Sequence, residues 1–292
     1  MPTLSIIVPL YNEEDNVVDL QRELAEALDL KPSKSLGQNF VIDSNVCTKI
    51  VKTAGVTKDD VALEIGPGLG SLTLAMLEAA QSVIAVEIDP RLAQQLPLTV
   101  ADHFEHPENL TVINKDALAL RDLPVAPTVL VANLPYNVSV PVLLHLLEIF
   151  PSIRSGVVMV QAEVADRLAA KPGGKEYGIP SVKAAWWADV KNVGTVSRSI
   201  FWPAPNVDSK LVGFTRRETA GSEEMREKVF TIIDAAFAQR RKMLRSALSS
   251  LYGSSSAAEE ILIKAGIDPT LRGEALEVKS FCQIAAVAPD IF

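Results

Sequence analysis

The sequence predicts an α/β fold in which a doubly wound, largely parallel sheet is followed by a small helical domain. Strand and helix patterns alternate from residue 61 to about residue 191, which is the signature of parallel strands joined by helices. Two later apolar runs, 190–196 and 210–215, are joined by Pro203-Ala204-Pro205 without a helix, so we expect an antiparallel hairpin at the end of the sheet. Beyond the polar stretch 216–224, only short helical patterns remain, such as 229–237, 243–251 and 257–265.

The first strand of the alternating region leads into a glycine-rich turn. Val61-Ala62-Leu63 precedes Glu64-Ile65-Gly66-Pro67-Gly68-Leu69-Gly70, and a helical run with Ser71 as its expected N-cap follows. Such a turn lets a ligand approach the backbone closely. The spacing Gly-x-Gly-x-Gly departs from the Gly-x-Gly-x-x-Gly pattern of dinucleotide-binding proteins. We therefore expect a cofactor site, not typical of a nicotinamide, around Glu64, Gly66, Gly68 and Gly70.

The next two strands end in acidic residues. Run 82–86 leads to Glu87-Ile88-Asp89, roughly 20 residues past the glycines, where a carboxylate can accept hydrogen bonds from ribose hydroxyls. Glu87 is preferred for this role, and Asp89 is instead a candidate cap for the following helix. After the third strand, Asp116 either accepts a hydrogen bond from an adenine amino group or is a turn residue. Together these positions indicate an adenosine-containing cofactor, and S-adenosylmethionine fits.

The fourth strand ends in the most informative segment, Asn133-Leu134-Pro135-Tyr136. Ligands bind at the carboxyl ends of strands in open α/β sheets. The segment suits methylation of an amino group conjugated to an aromatic base: Asn133 and the Leu134 carbonyl can accept its two N–H groups, Pro135 fixes the turn, and Tyr136 can stack on the base. An ordinary strand-to-helix turn is the alternative for these residues alone. Direct in-line transfer of a methyl group from the sulfonium of S-adenosylmethionine requires no metal. It also requires no strong general base, because the methylated ammonium product is acidic.

Further motifs accompany the turn and the tetrapeptide: Leu36-Gly37-Gln38-Asn39-Phe40, Lys175-Glu176-Tyr177-Gly178, and the segments 159–168, 201–209 and 239–245. With these motifs the chain resembles, over about residues 29–248, the KsgA-type small-subunit ribosomal RNA adenine dimethyltransferases, which are relatives of the Erm-type enzymes. The resemblance implies a Rossmann-like S-adenosylmethionine-dependent methyltransferase sheet with a small C-terminal all-helical domain. It also implies that two adjacent adenosines in a hairpin near the 3′ end of the rRNA are each methylated twice at N6, in ribosome biogenesis.

The resemblance assigns further residues to the site. It implies that Gln38 and Asn39 contact the methionine and ribose portions of the cofactor and that Phe201 stacks on the target adenine. Core packing is the alternative for Phe201, which lies beside Trp202 in a short apolar stretch. The remaining residues that the resemblance places at the cofactor are Phe40, Ile88, Ala117 and Asn133. Two other functions stay open, an Erm-type large-subunit methyltransferase and a mainly non-catalytic ribosome assembly factor.

The net charge of −8 over 292 residues is unusual for an RNA-binding enzyme. Binding to an immature 30S particle must then depend on local basic patches. Solvated basic faces are the alternative for any single cluster. The RNA-binding candidates are Lys34, Lys171, Lys175, Arg240, Arg241, Lys242 and Arg245.

Composition limits location and cofactors. No apolar run reaches the roughly 18 residues of a membrane span, and the start of the chain lacks the basic region of a signal peptide. Cys47 and Cys282 are far apart, which indicates a reducing cytoplasm and no metal site. We expect a cytoplasmic protein, a monomer, without metal or membrane partner.

The amino terminus departs from the resemblance. Residues 1–18 are similar to the start of family 2 glycosyltransferases, but the Asp-x-Asp metal motif of such an enzyme is absent from the sequence, so glycosyl transfer is disfavoured. The sequence thus predicts three parts. They are an atypical extension (1–28), a cofactor-binding methyltransferase domain (29–216) and a helical domain (217–292).

Overall fold

The computed structural model describes residues 38–290. Its first half contains β1 (Phe40–Val41), α1 (Ser44–Ala54), β2 (Val61–Ile65), α2 (Ser71–Ala79), β3 (Ser82–Glu87), α3 (Pro90–His103), β4 (Leu110–Asn114), β5 (Val129–Asn133), α4 (Ser139–Ile149) and β6 (Ser155–Gln161). Its second half contains α5 (Ala162–Ala169), α6 (Ile179–Ala184), β7 (Ala188–Val196), β8 (Phe201–Trp202), β9 (Ser209–Arg216), α7 (Glu223–Ala238), α8 (Leu244–Ala247), α9 (Ser249–Tyr252), α10 (Ser255–Lys264) and α11 (Val278–Val287). The predicted extension (1–28), its glycosyltransferase-like segment and Lys34 lie outside the described residues.

Seven strands form the main sheet, in the order β4-β3-β2-β5-β6-β9-β7. The pairs β3–β4, β2–β3, β2–β5 and β5–β6 are parallel. Strands such as β2 and β5 are almost entirely buried, as expected for parallel strands covered on both faces. The strand order reverses between β2 and β5, and ligands bind at such a switch point. The predicted α/β class with a largely parallel sheet is confirmed.

The end of the sheet contains one unpredicted pairing. β7 and β9 are neighbours there, as the predicted hairpin requires. The short strand β8 lies between them in sequence but pairs elsewhere, antiparallel to β1, with Phe40 opposite Trp202 and Val41 opposite Phe201. This second, two-stranded sheet joins positions about 160 residues apart in the chain, and a local pattern cannot predict such a contact.

The chain divides into two compact units. The first contains the described residues up to His145 together with Ile149–Ala162 and Val193–Leu211, and the second contains Leu146–Glu148, Glu163–Asn192 and the residues from Val212 onward. The domain boundary at residue 216 stays a prediction.

The core of the first unit lies between the sheet and its helices. Strand residues such as Ala62, Val83 and Val131 pack in one cluster with Ile50 of α1 and Met76 of α2. Each of these five side chains is almost completely buried, and burying a large apolar side chain contributes about 1.5–3 kcal/mol. This rigid layer holds the carboxyl ends of β2, β3 and β5 in fixed positions.

The second unit contains the predicted C-terminal helices with two differences. The pattern over 243–251 predicted a single helix, but the structure has two short helices there, α8 and α9. Helix α11 was not predicted, although its buried residues Val278, Phe281 and Ile284 recur at helical spacing.

Within residues 38–290, no helix is long and apolar enough to cross a membrane, and no cluster of three or more metal-binding side chains occurs.

Candidate active site

A cavity of about 250 Å³ opens at the carboxyl ends of β2, β3 and β5, where the strand order reverses. Most of the predicted site residues line it. From the cofactor set these are Gln38, Asn39, Phe40, Gly66, Gly68, Glu87, Ile88, Asp116, Ala117 and Asn133, and from the tetrapeptide Leu134, Pro135 and Tyr136. The cavity also has walls that the sequence reasoning missed, among them Lys115, Asn137, Val138 and Val142. The last two lie four residues apart after the tetrapeptide, a helical spacing that could have revealed them.

The glycine turn has the backbone conformation that its composition predicts. Gly66, Gly68 and Gly70 have φ values of 69°, 58° and 92°, in the left-handed region where other residues are strained. A side chain at Gly68 would meet the Phe40 ring at 2.8 Å, and one at Gly70 would meet Leu96 at 2.7 Å. Gly70 is also the N-cap position of α2, so the expectation for Ser71 was wrong: Ser71 is the first residue of the helix.

Glu87 and Asp89 have separate roles. The buried Glu87 carboxylate accepts hydrogen bonds from the backbone N–H groups of Gly68 (3.2 Å) and Asp89 (2.9 Å). Burial raises the pKa of Glu87 above its ordinary value, and these N–H groups oppose the shift. Asp89 caps α3 by accepting from the Arg91 backbone, which confirms the alternative for this residue, and the Arg91 side chain lowers its pKa. Of these two acidic residues, Glu87 is thus the one that lines the cavity.

Asn133 is the last residue of β5 and presents an unpaired acceptor. Its side-chain Nδ2 donates to the Asn39 carbonyl oxygen at 3.0 Å. Its Oδ1 is buried and has no hydrogen-bond partner. A buried acceptor without a partner costs about 1–3 kcal/mol, so this atom favours a donor from a bound molecule.

The remainder of the tetrapeptide is also fixed. The Leu134 N–H donates to the Met159 carbonyl of β6 at 3.1 Å. The Tyr136 hydroxyl lies 2.7 Å from the hydroxyl of Ser209, which is buried at the start of β9. Burial raises the pKa of Tyr136, so the phenol stays neutral. The ring therefore has a defined position at the cavity wall.

Glu64 does not line the main cavity. It lies on a smaller adjoining cavity together with Gly66, Gly68 and Asn133. Its carboxyl is 1% exposed and accepts a hydrogen bond from the Thr73 hydroxyl at 2.5 Å. Burial raises its pKa to about 8, and the nearby Glu87 adds to the shift. Glu64 is therefore protonated at neutral pH and can donate a hydrogen bond.

The lining of the main cavity also combines an apolar side chain, Ile88, with a polar one, Asp116. The Ile88 side chain is 50% exposed, an unusual position for isoleucine. Asp116 caps the short 3₁₀ helix 117–119 by accepting from the Leu118 N–H at 2.9 Å, so its turn role is realised, and the same residue lines the cavity. The exposed Ile88 side chain can therefore pack against an aromatic ring of a bound molecule.

Phe201 lies away from this cavity. Its side chain is 3% exposed and belongs to the apolar core of the first unit, which is the packing alternative. Its neighbour Trp202, which the sequence reasoning did not select, stacks on Phe40 with ring centroids 6.2 Å apart. Stacking of Phe201 on an adenine stays a prediction and would require the side chain to leave this core.

Comparison with known proteins identifies the family. The sequence profile of the ribosomal RNA adenine dimethylases matches residues 30–290. The chain belongs to the ribosomal RNA adenine dimethylase family. The predicted enzyme class, an rRNA adenine dimethyltransferase, is thereby confirmed, and residues 1–29 lie outside the matched region.

Individual relatives agree with this dimethylase assignment. A ribosomal RNA small subunit methyltransferase A of Streptomyces avermitilis is 58% identical over 267 residues, which cover 90% of each chain. The protein of the same name from Leifsonia xyli is 59% identical over 267 residues, or 91% of this chain and 95% of its own. Among solved structures, the 23S rRNA methyltransferase ErmE has a TM-score of 0.63 at 26% identity, over 85% of this chain and 98% of its own. A dimethyladenosine transferase from Plasmodium falciparum has a TM-score of 0.70 at 24% identity, over 84% and 95%, and supports the fold.

The RNA-binding candidates that lie within the described residues form two groups, all in the second unit. Arg241, Lys242, Lys171 and Lys175 are exposed. Arg240 and Arg245 have acidic partners: Arg240 binds Glu274 at 2.8 Å and donates to the Lys175 carbonyl, and Arg245 approaches Glu259 at 3.3 Å. Ion pairs of this kind leave less of each charge for phosphates. Contact of either group with RNA stays a prediction.

Proposed function

We propose that the protein transfers methyl groups from S-adenosylmethionine to N6 of two adjacent adenosines in a hairpin near the 3′ end of small-subunit rRNA. The observation that carries the proposal is the buried, unpaired Oδ1 of Asn133, a residue that lines the cavity. The names and high identities of the curated relatives support the small-subunit substrate. We infer that the protein acts in the cytoplasm as a monomer during ribosome biogenesis, on the immature 30S particle.

The residues of the cavity fit an adenosine-containing cofactor. Gly66 and Gly68 line the cavity without side chains, so a ligand can approach the backbone there, and Glu87 offers carboxylate oxygens to ribose hydroxyls. Ile88 provides an apolar surface for a purine, and the Asp116 carboxylate suits its amino group. When bound, S-adenosylmethionine supplies an electrophilic methyl group on a sulfonium. The acidic residues along this wall suit a ligand that carries positive charge.

Asn133 and Leu134 have the chemistry needed at the adenine. The side-chain carbonyl of Asn133 and the backbone carbonyl of Leu134 accept the two N–H groups of the adenine amino nitrogen. These two hydrogen bonds orient its lone pair and favour a pyramidal nitrogen. The Tyr136 ring, held by Ser209, offers a face for the extruded base, and such stacking contributes roughly 1–3 kcal/mol per base. The methylated product is acidic and releases its proton to solvent, so no side chain is required as a strong base.

Two alternatives are less well supported. An Erm-type large-subunit substrate has a solved relative at 26% identity, against 58–59% for the small-subunit relatives. A non-catalytic assembly factor would not require the unpaired Asn133 acceptor, which is costly to keep buried. Assembly and methylation can nevertheless belong to one protein.

The test is mass spectrometry of rRNA from undermethylated small and large subunits, each incubated with the purified protein and S-adenosylmethionine. We expect dimethyladenosine in the small-subunit RNA. The variant Asn133→Ala tests the mechanism and should abolish transfer. It should leave the affinity for S-adenosylmethionine within about twofold, because the acceptor of Asn133 is directed at the adenine. Methylation of the large subunit alone, or of neither RNA, would refute the proposal, and an active Asn133→Ala would refute the assigned mechanism.

A further inference from the structure

The side-chain amide of Asn133 has two chemically different ends, and only one of them has a hydrogen-bond partner among the described residues. Nδ2 lies 3.0 Å from the carbonyl oxygen of Asn39, while Oδ1 is buried without a partner. A backbone carbonyl oxygen can only accept a hydrogen bond. The NH₂ end of the amide must therefore be directed at Asn39, and the oxygen must be directed away from it. The hydrogen-bond partner thus determines which atom of the amide is the nitrogen and which is the oxygen.

The three residues that follow Asn39 are held in place by several contacts. Residues 40 and 41 pair with β8, and the Ile42 N–H donates to the Ile200 carbonyl at 2.8 Å. The Phe40 ring stacks on Trp202 with an interplanar angle of 18°. Its other neighbour is Gly68 of the glycine turn, where no side chain would fit. Phe40 thus fixes the preceding residue between the turn and β8.

We propose that the Asn39 carbonyl is a positioning group that directs Asn133 Oδ1 toward the substrate amino group, and that this carbonyl makes an amide necessary at position 133. The inference deepens the proposed function and rests on it. A carboxylate at the same position also has acceptors for the substrate N–H groups. However, its second oxygen would face the Asn39 carbonyl oxygen, and two acceptors at that distance repel each other. Only a protonated carboxyl, which can donate to Asn39, reproduces the amide.

The variant Asn133→Asp therefore has a distinctive pH dependence. Burial and the facing carbonyl raise the pKa of the new carboxyl. The titratable side chains that line the two cavities with Asn133 are Glu64, Glu87, Lys115, Asp116 and Tyr136. Their balance is acidic, which shifts the new carboxyl in the same direction. These groups are present in the wild type as well, so the activity ratio of variant to wild type at each pH isolates the substituted residue.

The experiment measures single-turnover methylation of small-subunit rRNA by wild type and Asn133→Asp between pH 6 and 8.5. We expect the ratio to fall by about tenfold per pH unit above the pKa of the new carboxyl, as the protonated fraction falls. Asn45→Asp, which adds the same charge on the exposed surface of α1, is the matched control and should keep a constant ratio. A ratio for Asn133→Asp that is independent of pH, whether high or low, overturns the inference.

A second pair of variants tests the support of the carbonyl. Trp202→Ala removes the ring on which Phe40 stacks, and we expect the turnover rate at saturating cofactor and RNA to fall about tenfold. Trp202→Phe keeps a ring there and should restore most of the rate. Equal rates for the two variants contradict the role of the stack. If the wild type does not methylate small-subunit rRNA, the proposed function fails; if the wild type is active and the pH ratio is flat, only the inference fails.

Discussion

Gly68 lies where the backbone, the Phe40 ring and Glu87 meet, so Gly68→Ala tests the geometry of the cofactor turn. At φ 58°, an L-residue has a strain of roughly 1–2 kcal/mol. The new Cβ would also lie 2.8 Å from Phe40 Cδ1, and the ring cannot move freely because it stacks on Trp202. Such overpacking costs about 1–3 kcal/mol. We expect a total loss of about 2–5 kcal/mol in the free energy of unfolding, which a domain in the upper part of the ordinary range of about 5–15 kcal/mol tolerates.

Gly55→Ala is the matched control. Gly55 ends α1 at φ 68°, and a Cβ added there would have no atom within 4 Å, so the substitution adds backbone strain alone. Urea titration of both variants should give a difference of about 1–3 kcal/mol, attributable to Phe40. Because Phe40 lines the cavity, calorimetry should also show S-adenosylmethionine affinity about tenfold weaker for Gly68→Ala and unchanged for Gly55→Ala. Equal losses of stability and equal affinities would refute the reasoning.

Two further substitutions concern the buried carboxyls. Glu87→Ala should weaken S-adenosylmethionine binding by about 10- to 100-fold, because charge-assisted hydrogen bonds contribute roughly 1.5–3 kcal/mol each; unchanged affinity in a calorimetric titration would show that the ribose site is elsewhere. Glu64 has a raised pKa of about 8, against 4.5 for an ordinary glutamate. Between these two pH values the folded state keeps a proton that the unfolded state releases. The free energy of unfolding of the wild type therefore falls as pH rises. Glu64→Gln removes this penalty, and its stability relative to wild type should increase by about 1 kcal/mol per pH unit from pH 5 to 8 in urea titrations. A difference that does not change with pH would disprove the burial argument.

The position of the site was predictable because it depends on strand ends. Gly66, Glu87 and Asn133 each follow or end an apolar strand, and the carboxyl ends of parallel strands share one edge of the sheet. Local patterns therefore predict which residues meet. They also predicted the cap role of Asp89, since its position before Pro90 is typical of helix starts.

The sequence was less informative where a residue distant in the chain determines the role of a side chain. Phe201 and Trp202 are adjacent aromatics, yet the first packs in the core and the second stacks on Phe40, because β8 pairs with β1 in one register and not the other. Arg240 and Arg241 are likewise adjacent and equally basic. Only the fold shows that Arg240 binds Glu274 while Arg241 is exposed.

Asn133 shows the limit most clearly at the level of single atoms. The tetrapeptide predicts an acceptor for the adenine amino group, but an amide offers a donor and an acceptor, and nothing near residue 133 in the sequence decides between them. The deciding group is a backbone carbonyl 94 positions earlier. Every residue has such a carbonyl, so no side-chain pattern can reveal it. The chemistry of the site therefore depends on the path of the chain through residues 38–42 as much as on the motif itself.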